Sequence, residues 1–107
     1  MEKYIVLTNK AAYQTRVDGD GLMPVETYNF YFFDEVKAKY TIAKVLDDNI
    51  KIKLYENYEG KDYINEIRVK FFETFPTIEA ARDELSEIVA ASGSNPDSAH
   101  TKLVQVP

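Results

Sequence analysis

A 107-residue chain has room for one domain and not for a second hydrophobic core. Hydrophobic residues at 45% and charged residues at 29% exclude a disordered chain, and the lack of cysteine excludes a disulfide framework, a thiolate metal site and a cysteine nucleophile. A formal net charge of −5 argues against phosphate binding as the main activity and is ordinarily a matter of solubility.

Tyr4 to Thr8 reads as a strand, and a short one is expected around Tyr13 to Val17. Asp18-Gly19-Asp20-Gly21 and Pro24 then form a cluster of turn residues. Val25 to Phe33 (VETYNFYFF) is the strongest strand pattern, with Tyr28, Phe30 and Phe32 on one parity and Tyr31 and Phe33 on the other. Apolar residues on both parities place such a strand centrally in its sheet.

Asp34 fits a helix N-cap, and Val36, Tyr40, Ala43 and Leu46 follow at helical spacing, so a helix is expected here. The alternation Val36, Ala38, Tyr40, Ile42 also fits a strand. Ile50, Ile52 and Leu54 alternate with Lys51, Lys53 and Tyr55 in a half-buried strand, a hairpin loop spans Glu56 to Asp62 around Gly60, and Ile67, Val69 and Phe71 alternate with Arg68, Lys70 and Phe72 on the way back.

Pro76 and Thr77 open a second helix with Ile78, Ala81, Leu85, Ile88 and Val89 on its apolar stripe, and Ser92-Gly93 stops it. Residues 92–100 read as a flexible loop before a last strand at Lys102 to Val106. From residue 25 the order is βαββαβ: a ferredoxin-like α+β domain over 1–107, with an extra N-terminal strand and two helices on one face of an antiparallel sheet.

No catalytic residue, metal site or cofactor is assigned. His100 shares one polar stretch with Asp97 and Ser98, and neighbours on a loop do not converge as a triad does. The Asp18-Gly19-Asp20-Gly21 loop lacks calcium-loop spacing, because Leu22 and Asn29 stand where ligand oxygens belong. The glycines have no phosphate-loop spacing. No apolar run suits a signal peptide or a bilayer span, so a cytoplasmic location without membrane contact is expected.

Eight Tyr and six Phe with no Trp are many rings for this length, and rings serve interfaces as well as cores. Two surfaces stand out. On a helix-free sheet face, Lys51, Lys53, Tyr55, Arg68, Lys70 and Phe72 gather with Tyr31; at the hairpin tip, Tyr58 and Tyr63 do. The reading that follows is a non-catalytic accessory subunit acting through one of these surfaces on a protein partner or on itself as a homodimer. The alternatives are a small enzyme or ligand-binding protein of dimeric α+β-barrel type, and a single-stranded nucleic-acid binder on the open face. The Gly-Phe-rich pattern of RNA-recognition strands is absent from IRVKFFETF.

Overall fold

The computed structural model describes residues 2–10, 13–17, 21–92 and 101–106. Strands β1 (Tyr4–Asn9), β2 (Tyr13–Val17), β3 (Leu22–Phe32), β4 (Glu35–Val45), β5 (Lys51–Tyr58) and β6 (Lys61–Arg68) come first. A 3-10 turn (Val69–Phe71), helix α1 (Ile78–Ser92) and strand β7 (Thr101–Val106) follow. One antiparallel sheet has the order β1-β4-β3-β7 and the other β2-β5-β6.

The ferredoxin-like expectation is therefore overturned: the described residues form two antiparallel sheets and a single helix. The error lies at Val36 to Leu46. Asp34 caps no helix; Phe33 and Asp34 form the two-residue turn of a hairpin in which Phe32 pairs with Glu35. β4 is a central strand in which adjacent Ile42 and Ala43 are buried on opposite faces, so apolar residues fall on both parities and imitate a helical stripe. A bulge at Lys37 adds to the imitation: Phe30 pairs with Ala38 but Tyr31 with Val36, which puts Val36 on the face opposite Ala38.

The four-stranded sheet is the middle layer of three. Adjacent residues of β1 and β4 face opposite ways, so Tyr4, Ala38, Tyr40 and Ile42 join Phe30, Ala81 and Leu85 in a core beneath α1. On the other face Ile5, Leu7 and Ala43 meet Ile52, Leu54 and Val69 of the three-stranded sheet and its 3-10 turn. Helix α1 starts where Thr77 Oγ1 accepts a hydrogen bond from the Ala80 N–H at 3.1 Å, making Thr77 its N-cap. Side chains of residues 89–92, and the 93–100 segment expected to be a loop, lie outside the described residues.

A polar clamp fixes α1 to the sheet. Arg82 donates from Nε to Glu26 Oε1 at 2.7 Å and from Nη2 to Oε2 at 2.5 Å, while Tyr28 donates to the same carboxylate at 3.0 Å. The Arg82 guanidinium holds the Glu26 carboxyl below its usual range, and the carboxylate in turn pushes the arginine up. Among the described residues no helix is long and apolar enough to cross a membrane.

Candidate interaction surface

The outer face of the three-stranded sheet carries a graded pattern set by strand register. Lys51 lies opposite Arg68; Lys53 stands between Arg16 and Glu66; Tyr55 stands between Gln14 and Ile64; Asn57 lies opposite Asp62. Paired residues share a face. The root of the face is thus cationic, and its far end is aromatic and apolar. The Arg16 guanidinium lies 5.1 Å from the Tyr55 ring centre, and Lys51 and Glu66 approach to 3.8 Å. Beside the root, Lys70 Nζ lies 5.3 Å from the ring centre of Phe71, which is 72% exposed.

Lys51, Lys53, Tyr55 and Arg68 thus share one face, as the alternation implies, with Lys70 alongside. Phe72 does not join them, because the 3-10 turn breaks the alternation after Arg68: Val69 is buried, Phe71 turns to solvent, and Phe72 packs against the core. Tyr31 lies on the four-stranded sheet, paired with Lys102 of β7, whose ammonium is 5.4 Å from its ring centre. The ferredoxin-like sheet that was to bring Tyr31 onto this face, and to pair into a dimeric barrel pocket, is not the sheet observed.

Beyond β2, strands β5 and β6 continue as a two-stranded arm. It closes in a two-residue turn, Glu59-Gly60, with φ of 51° and 78°. Positive φ at both positions is the type I′ geometry that matches the twist of paired strands. The predicted hairpin is present, with strands reaching to Tyr58 and Lys61 and a shorter turn than the Glu56–Asp62 loop. Tyr58 is 64% exposed and Tyr63 47% exposed on the inner side, and Ile64 is 60% exposed on the outer side. Beneath the arm opens a cleft of about 510 Å³ lined by Thr8, Lys10, Tyr13, Glu56, Asn57 and Tyr58. Burial, and then the nearby Glu56 carboxylate, push the Tyr13 phenol up.

Sequence reasoning missed Arg16, Ile64 and Phe71. The signal for Arg16 was the alternation of Gln14 and Arg16 with Tyr13, Thr15 and Val17; for Ile64 it was the period-two run with Glu66 and Arg68. Nothing in the local sequence marks the 3-10 turn that exchanges Phe71 and Phe72.

Among the described residues no cluster of three or more His, Cys, Asp or Glu side chains could hold a metal ion. His100 and the Asp18 to Asp20 loop lie outside the described residues. The chain matches no protein-family model, no curated protein and no solved structure.

Proposed function

We propose that the protein is a small non-catalytic interaction subunit that self-associates by laying the β5–β6 arm of one copy into the cleft of another. One observation carries the reading: Tyr58 is 64% exposed on a narrow arm that lines an open cleft, with Tyr63, 47% exposed, on the same side at the base of the arm. Exposed rings gathered this closely mark contact surfaces more often than bare solvent-facing ones. Charge supports the pairing. The cleft holds Lys10 and Glu56, and the arm tip brings Glu59, Lys61 and Asp62 to meet them. In a two-fold dimer each copy supplies one arm and one cleft, so every such contact is made twice.

Light scattering on a sizing column, over a dilution series, tests the reading. The expected result is a dimer that dissociates on dilution and is monomeric as Tyr58→Ser/Tyr63→Ser. Both positions are exposed, so the variant is expected to fold. A wild-type monomer at the highest concentration, or a dimer indifferent to the two substitutions, would remove the arm from this role.

A further inference from the structure

Apart from the arm, strand register gathers charge at the root of the outer face of the three-stranded sheet. Arg16 from β2, Lys51 and Lys53 from β5 and Arg68 from β6 share that face with Glu66, and Lys70 and Phe71 follow Arg68 in the 3-10 turn. The chain as a whole carries −5, and four of its thirteen Lys and Arg lie on this face. At physiological salt the screening length is about 8 Å. A ligand held on this face therefore feels mainly the local cations, and the net charge of the molecule matters less.

We infer that this root is a binding site for single-stranded nucleic acid. The surface combines two things such a ligand needs and a plain acidic peptide does not: cations for the phosphates and rings for the bases. Tyr55, with Arg16 against its face, borders the cationic root on one side, and the exposed Phe71 beside Lys70 borders it on the other. Alternate residues of a strand are about 7 Å apart. Lys51, Lys53 and Tyr55 therefore repeat at a spacing that an extended polynucleotide matches one nucleotide at a time. The sheet face is open to a flexible chain, and a ring on it can stack only on a base that is not already stacked within a duplex. The site is separate from the arm tip and does not depend on self-association.

Fluorescence anisotropy of a labelled oligothymidylate of about fifteen nucleotides tests the inference, with a polyglutamate peptide as competitor. With four phosphate contacts, affinity should fall roughly fifty-fold between about 50 and 200 mM salt. Lys51→Gln/Arg68→Gln should weaken binding at least about tenfold, and Tyr55→Ala and Phe71→Ala should weaken it further, while Tyr58→Ser/Tyr63→Ser, on the opposite face, should leave it unchanged. Far-UV circular dichroism confirms that each variant is folded. Absence of binding at low salt overturns the inference, and so does binding that survives Lys51→Gln/Arg68→Gln in a folded protein. Equal competition by polyglutamate also overturns it, and assigns the face to an acidic protein segment instead.

Discussion

Gly21 sits where the chain enters β3, buried, with its carbonyl accepting hydrogen bonds from the Leu46 and Asp47 N–H groups at 2.8 and 3.2 Å. A Cβ built on it collides with the Ile50 side chain, meeting Cγ2 and lying 2.8 Å from Cδ1. Glycine is required here for space. Ile50 packs against the second core, so it has little freedom to withdraw. Gly21→Ala should lower stability by about 1–3 kcal/mol in urea unfolding, and Gly21→Ala/Ile50→Ala should recover part of that loss. A neutral or stabilising single substitution would contradict the close approach. The turn expected from Asp18 lies mostly outside the described residues, and the reason for this glycine was not legible, because Ile50 is distant in sequence.

The elements themselves were mostly legible where one face is wet. β5 alternates Ile52 and Leu54 with Lys51 and Lys53 because its outer face meets solvent, and α1 shows its stripe for the same reason. β4 was misread because Ile42 and Ala43 bury opposite faces of it, which puts apolar residues on both parities. Bulges then fix which residues share a face: the extra residue Val25 in β3 turns Leu22 and Pro24 toward the second core, while Glu26 turns toward α1. That turn brings Glu26 to Arg82 and anchors the helix. Because the folded Glu26 pKa is lowered from 4.5, its contribution to stability is fully present above that value. It is lost as the pH falls through the depressed folded value. Glu26→Gln should therefore unfold at lower urea than wild type at pH 7, and the two midpoints should converge in acid. A constant difference down to low pH would mean that the carboxylate charge is not what anchors α1.

At the scale of the molecule, two cores share one sheet. Tyr4 and Ile5 are neighbours on β1 and Ile42 and Ala43 are neighbours on β4, yet each pair divides between the helix side and the sheet side. Loosening one core disturbs the strands that wall the other. Leu85→Ala, beneath α1, should cost about 2–5 kcal/mol, a large share of the 5–15 kcal/mol roughly typical of a small domain. Unfolding should nevertheless remain one transition, with far-UV and tyrosine near-UV circular dichroism giving the same midpoint. Two separated midpoints would show that the helix layer and the outer sheet unfold independently.

Composition and alternation by themselves determined a folded chain without cysteine chemistry, most of its strands, the helix from Ile78, the β5–β6 hairpin, and the gathering of Lys51, Lys53, Tyr55 and Arg68 on one face. These follow from short-range rules: side chains alternate along a strand, and only particular residues close a turn. Tertiary structure alone decided that residues 35–45 are strand, that the sheets number two, that Phe72 turns inward while Phe71 turns out, and that Arg16 stacks on Tyr55. Each of these depends on a partner far away in sequence: the second core that receives Ala43 of β4, the same core that receives Phe72, the pairing of β2 with β5. Local pattern records how a segment meets water, and a segment closed off from water on every side carries no such record.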